Sequence, residues 1–105
     1  MNYQDFYQAS IQDPTSFWDK QAQLISWHKP YTQVLDHSKP PFAKWFVGGE
    51  TNLCYNAIDR WLETQSDKAA LIAISTETNA EKTYSFAQLH VEVQRMAAMM
   101  LELGV

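Results

Sequence analysis

Near the end of the chain Phe86, Leu89, Val93, Met96, Met100 and Leu103 recur at alternating spacings of three and four. That spacing lays them along one stripe of an α-helix, and a stripe this apolar must be buried against another element. Burying all of it would gain on the order of 9–18 kcal/mol before entropy costs. Ser85 and Gln88 form a capping box at the helix start, each side chain satisfying the other's backbone N–H. Gly104 stands where a helix C-terminal cap belongs, so the helix is expected to run to Leu103. Upstream, Ala69 to Ser75 is almost continuously apolar and reads as a buried strand. Thr76 to Ala80 is turn-like, and Glu81 to Ser85 alternates as a second strand of a hairpin. The result is an α/β reading, and an incomplete one. A hairpin alone is a poor sheet, and a Gly-Val pair after an amphipathic helix as a rule leads into another strand. The chain therefore reads as the front end of a larger fold.

The first half is less regular. Residues 2 to 10 read as a short helix with Tyr3, Phe6 and Tyr7 on one side. Asp13-Pro14 is a sharper start signal, because Asp13 can cap the helix and Pro14 lacks only an N–H that would have no partner there. This helix is expected to reach about Ser26, with Pro14, Trp18, Gln21, Ala22 and Ile25 on one stripe. Trp27 to Ala43, punctuated by Pro30, Pro40 and Pro41, reads as a loop longer than most inside a compact domain. Its Trp27, Tyr31, Val34, Leu35 and Phe42 suit a covering segment, or alternatively a docking strap. Trp45-Phe46-Val47 reads as a short extended piece and Gly48-Gly49 as a tight turn. Thr51 or Asn52 then caps a helix to about Gln65, with Leu53, Ala57, Ile58, Trp61 and Leu62 as its apolar face.

Composition narrows the function classes. The formal net charge of -4 and the scatter of only eight basic residues argue against nucleic acid or an anionic membrane as a partner. No apolar run approaches the ~20 residues of a membrane span, and Met1 to Ser10 does not read as a signal peptide. The single cysteine, Cys54, permits no internal disulfide and fits a reducing, cytoplasmic setting.

The residues offer little chemistry. Gly48-Gly49 followed by Glu50 is a poor phosphate cradle, since the carboxylate repels the anion; a steric turn is the simpler reading. His28, His37 and His90 match no metal-ligand spacing. Asp36-His37 reads as turn chemistry, Cys54 as a buried helical cysteine, and Met96, Met99 and Met100 as packing residues. Asp59-Arg60 could be an internal ion pair, a helix-surface pair or an anchor to another domain. Without interleaved basic residues the four tryptophans are core and interface aromatics rather than base-stacking platforms. No residue here is a candidate for a catalytic, cofactor-binding or metal-binding role.

The order of features is nevertheless specific. Phe17-Trp18, Trp27, then Trp45-Phe46-Val47-Gly48-Gly49 with Asn52, then Asn56-Ala57-Ile58-Asp59-Arg60 resembles the N-terminal segment of the acetyl-/propionyl-CoA synthetases of the adenylate-forming superfamily. Leu35-Asp36-His37-Ser38 with Pro40-Pro41-Phe42-Ala43, and Thr51-Asn52-Leu53-Cys54 running into Trp61-Leu62-Glu63, look like the propionate–CoA ligase branch. The acetyl branch more often carries Leu at the position of Thr51 and His at that of Trp61. Tyr84-Ser85-Phe86, Gln88-Leu89 and Leu103-Gly104-Val105 look like the start of the large AMP-binding domain. The resemblance implies an N-terminal segment over 1–65 and the opening of the AMP-binding domain over 66–105. It also implies a ligase that uses ATP, Mg²⁺ and CoA to turn propionate into propionyl-CoA through an acyl-adenylate. The family's phosphate loop, nucleotide-binding motifs, CoA contacts and catalytic Lys lie downstream of Val105, so no site residue carries over. The rest of the AMP-binding domain would be the partner of this segment, which alone is expected to be inactive. An acetate-specific ligase and a stand-alone, non-catalytic interaction module are the other readings.

Overall fold

Asp13 and Pro14 divide the first two helices. The computed structural model describes residues 2–105, which form two units, Met1–Asn52 and Leu53–Val105. Helix α1 (Tyr3–Gln12) is capped by Asn2, whose side chain accepts from the Asp5 N–H. Helix α2 (Pro14–Ala22) has Pro14 in its first turn and Asp13 as its cap, accepting from the Ser16 N–H at 3.1 Å. Phe6 of α1 meets Phe17 of α2 edge to face at 4.8 Å. Phe17, Ala22 and Val34 are the buried apolar residues of this unit.

Helix α2 stops at Ala22, four residues before the expected Ser26. The Leu24 and Ile25 N–H groups reach back only three residues, to the Gln21 and Ala22 carbonyls. The indole N–H of Trp27 also donates to the Ala22 carbonyl, at 2.9 Å. That carbonyl is among those a helix end leaves without an intrahelical partner.

The segment 27–43 is not a loop. It holds β1 (Trp27–Lys29) and β2 (Gln33–Lys39), and runs into β3 (Phe42–Val47); β4 (Glu50–Thr51) follows. β2 and β3 pair antiparallel through Gln33↔Val47, Leu35↔Trp45 and Lys39↔Phe42, and β1 pairs with β4. Pro40 and Pro41 misled the sequence reading because proline is excluded from ladder positions that must donate. Here both sit in the hairpin turn, where no ladder N–H is needed, and the Pro40–Pro41 bond is cis. Gly48 follows β3 with φ +74 in the turn closed by the Gly49 N–H and the Phe46 carbonyl at 3.0 Å, which is the turn expected at Gly48-Gly49.

In the second unit the helix expected from Thr51 or Asn52 to Gln65 is broken. α3 (Leu53–Ala57) ends at Ile58 (φ -127, ψ -64), a 3-10 turn covers Asp59–Trp61, and α4 (Leu62–Gln65) completes the segment. The break is stabilised locally. The Trp61 indole N–H donates to the Asn56 carbonyl at 3.2 Å, and the Asp59 carboxylate turns toward His90.

The hairpin and last helix match the reading. β5 (Ala69–Ser75) pairs antiparallel with β6 (Ala80–Ser85) in a two-stranded sheet, and α5 (Phe86–Glu102) follows. Both halves of the Ser85–Gln88 capping box form. At the other end Gly104 has φ +83, and the Gly104 and Val105 N–H groups bond the Leu101 and Met100 carbonyls, a Schellman motif. Burial departs from expectation. Phe86, Leu89 and Val93 are half-buried, but Met96, Met100 and Leu103 are exposed, as are Leu71, Ile72 and Ile74 of the strand expected to be buried. Only about half of the apolar stripe has something to pack against.

Candidate functional site

In the first unit the side chains converge on the Gly48-Gly49 turn. Trp27 lies 5.1 Å from Tyr31 and 5.4 Å from Phe46, and Tyr31 lies 5.2 Å from Phe46. Trp45 continues the array to Trp18 at 6.4 Å. Gly49 is where this cluster is tightest. A Cβ there would stand 2.8 Å from Trp27 Cζ3 and 3.1 Å from the Phe46 carbonyl oxygen. Phe46 itself takes φ +49, a left-handed backbone uncommon for a bulky residue. The turn is therefore a steric solution that lets backbone meet indole, and Glu50 beside it is ion-paired to Lys29 at 3.2 Å.

A polar rim surrounds the aromatics. The Tyr31 hydroxyl donates to Asp19 at 2.6 Å, and the Gln23 amide donates to the same hydroxyl. The bond to Asp19 favours the protonated phenol and raises its pKa above the ordinary tyrosine value. Thr51 donates to the Ser26 carbonyl at 2.8 Å and Thr32 to that of Val47 at 3.1 Å, tying the strands across the turn. A shallow hollow at the hairpin tip is lined by Asp36, Ser38, Lys39, Phe42 and Lys44. Asp36 accepts from the Ser38 N–H at 2.9 Å, and hydrogen bonding from Ser38 holds its carboxyl below the usual value. The sequence reads Asp36-His37 as turn chemistry, but both residues lie on β2, where Asp36 pairs with Lys44 and the bond to Ser38 sits at the irregular end of the ladder.

The second unit has its own polar cluster. The Asp59 carboxylate meets His90 Nδ1 at 2.7 Å, both side chains half-buried, and this pair ties the 3-10 turn to α5. The sequence sets Asp59 beside Arg60 and gives His90 no metal-ligand spacing. The 31-residue separation of the true partners gave no local signal. Arg60 instead bonds Asn56 at 2.9 Å and lies over the Trp61 ring at 4.6 Å. Cys54 is a free, half-buried thiol on α3.

These groups brace backbone turns. Among the described residues no group of three or more His, Cys, Asp or Glu side chains could hold a metal ion, and no helix is long and apolar enough to cross a membrane.

Comparison with known proteins gives the arrangement a context. A family described as acetyl-coenzyme A synthetase N-terminus matches residues 3–57. Over all 105 residues the chain is 57% identical to a propionate–CoA ligase of Salmonella typhimurium and to one of Escherichia coli, covering 17% of each. It is 39% identical over 102 residues, 96% of the chain, to an acetyl-coenzyme A synthetase of Mycobacterium bovis, covering 16% of that protein. The chain thus spans about a sixth of the length of these relatives.

Proposed function

The chain belongs to the acetyl-coenzyme A synthetase N-terminal family, and on that premise we propose that it is the N-terminal part of an ATP-dependent propionate–CoA ligase. The reaction has two steps. The propionate carboxylate attacks the α-phosphorus of ATP, with Mg²⁺ present, to give propionyl-adenylate and pyrophosphate. The CoA thiol then attacks the acyl carbon and AMP leaves. One observation carries the choice of acid: identity is 57% to two propionate–CoA ligases and 39% to an acetyl-coenzyme A synthetase, over nearly the same residues.

Residues 1–65 serve in this reading as the N-terminal segment and 66–105 as the opening of the AMP-binding domain. The catalytic, nucleotide, Mg²⁺ and CoA contacts come from polypeptide beyond these residues, and none is assigned here. The bracing of Trp27, Phe46 and the Gly48-Gly49 turn supports a scaffolding role, in which the segment packs against the large domain. The full enzyme works in the cytoplasm.

The test is ATP–pyrophosphate exchange by the full-length product, with propionate and acetate compared as acid. Faster exchange with propionate is expected. A preference for acetate would reassign the substrate, and a native product without downstream ligase sequence would make the chain a stand-alone module. The 105-residue chain by itself should give no exchange above background.

A further inference from the structure

Near the tip of the β2–β3 hairpin the two strands fall out of step. Asp36 stands opposite Lys44 and Lys39 opposite Phe42, so β2 takes three residues where β3 takes two. Directly opposed residues of an antiparallel pair share a face, and so do residues two apart on one strand. Phe42 and Lys44 are therefore on one face. In a regular strand Asp36 and Lys39 would lie on opposite faces; the extra residue on β2 brings both onto the face of Phe42 and Lys44. The outcome is the hollow lined by Asp36, Ser38, Lys39, Phe42 and Lys44. Its groups have binding capacity to spare. The Phe42 side chain is 77% exposed. Asp36 stands opposite Lys44 yet is held by the Ser38 N–H at 2.9 Å. Among the described residues the ion pairs are Lys29–Glu50, Asp59–His90 and Glu92–Arg95, so neither Lys39 nor Lys44 has a carboxylate partner. In a chain of formal net charge -4, the segment 37–44 holds both of these lysines and no acidic residue.

We propose that this hollow is a binding site for a nucleoside phosphate, with the base on Phe42, the sugar at Asp36 and the phosphate between Lys39 and Lys44. Each part of such a ligand meets a group that lacks a partner of its own. A flat base stacks on an exposed aromatic ring. Two ammonium groups supply donors and charge for phosphate oxygens. An ionised carboxylate has about four acceptor positions, so Asp36 can take a sugar hydroxyl beside the Ser38 N–H. Asp36 also tells against a bare anion, which it would repel and which offers it no proton. The site is two cross-strand pairs long, the size of one nucleotide rather than of a docked peptide strand. It stands apart from the ligase reading, whose catalytic contacts come from other residues.

The experiment is photolabelling of the full-length product with 8-azidoadenosine 5′-diphosphate, the attachment point being mapped by peptide mass. Label within 36–44 is expected, and it should weaken as salt rises. Lys39→Gln together with Lys44→Gln should reduce it by about tenfold, whereas Lys39→Arg with Lys44→Arg should keep it. Phe42→Leu retains apolar bulk without a ring to stack on and should also reduce it. All three positions are exposed, and equal thermal midpoints verify that the variants fold. Unlabelled ADP and CoA serve as competitors, and whichever displaces the label at the lower concentration identifies a free nucleotide or the nucleotide half of CoA as the source. Label confined to other segments would overturn the proposal. So would undiminished label in the Gln pair or in Phe42→Leu. Displacement by inorganic phosphate as readily as by ADP would also overturn it, since that would mean a plain anion site. A labelled hairpin on a protein without ligase activity refutes the function alone, and an active ligase with an unlabelled hairpin refutes the nucleotide site alone.

Discussion

Replacing Gly49 with alanine tests whether the aromatic cluster is as tightly constrained as its geometry implies. The new Cβ would lie 2.8 Å from Trp27 Cζ3, and ordinary contact begins near 3.4 Å, so the ring must withdraw by more than half an ångström. Trp27 is not a loose side-chain end. Its indole N–H is held by the Ala22 carbonyl at 2.9 Å, and its ring packs against Tyr31 and Phe46. Moving it weakens a hydrogen bond worth about 0.5–1.5 kcal/mol and aromatic pairs of similar worth. The Phe46 carbonyl blocks the other direction at 3.1 Å. Overpacking of this kind costs about 1–3 kcal/mol. At about 2 kcal/mol, amides of the β1–β4 pairing should exchange roughly 30-fold faster. The control is a double-mutant cycle with Trp27→Leu, which removes the obstructing ring. Gly49→Ala should then cost less by about 1 kcal/mol or more. A change within about 0.5 kcal/mol in the wild-type background, or the same cost in both backgrounds, would refute the steric account.

Other perturbations separate backbone, capping and charge effects. Gly104→Ala meets nothing within 4 Å but must hold φ +83, so its cost is conformational only; about 1 kcal/mol is expected, read as faster exchange of the Gly104 and Val105 amides. Ser85→Ala removes one arm of the capping box and should cost about 1 kcal/mol, roughly a fivefold rise in exchange at Gln88. Hydrogen bonding from Ser16, side chain first and then backbone, depresses the Asp13 carboxyl below its ordinary 3.8. A depressed pKa contributes stability that is present above the unfolded-state value and lost as pH falls through the folded one. The start of α2 should therefore loosen below about pH 4, as followed by NMR of the Ser16 amide, and Asp13→Asn should remove that pH dependence.

What the sequence disclosed followed the range of each signal. The capping box, the Asp13 cap, the Gly104 terminus and the β5–β6 hairpin rest on residues a few positions apart, and all were legible. The Trp27 to Ala43 segment reads as a loop because prolines interrupt ladders wherever they fall in sequence; the β2–β3 pairing shows that Pro40 and Pro41 occupy a turn. The break at Ile58 was hidden because Leu53, Ala57, Trp61 and Leu62 keep helical spacing across it. What bends the chain there includes the bond to His90, far along the sequence. Exposure of Ile72 and Ile74 could not be read at all, since a strand's own residues say what it should bury against and not whether that surface is present.

The two indole N–H groups bonded to helix-end carbonyls have an optical consequence. Trp27 reports on the end of α2 and Trp61 on the break after α3, one in each unit. Phenylalanine at either place would fill much of the volume but remove the indole donor; the Ala22 carbonyl would keep the Ile25 N–H. Trp61 is the second unit's sole indole, so the emission lost in Trp61→Phe reports on the break after α3. Trp27→Phe keeps Trp18 and Trp45 in the first unit, so the end of α2 is read from the difference between that variant and the wild type, with no dye attached.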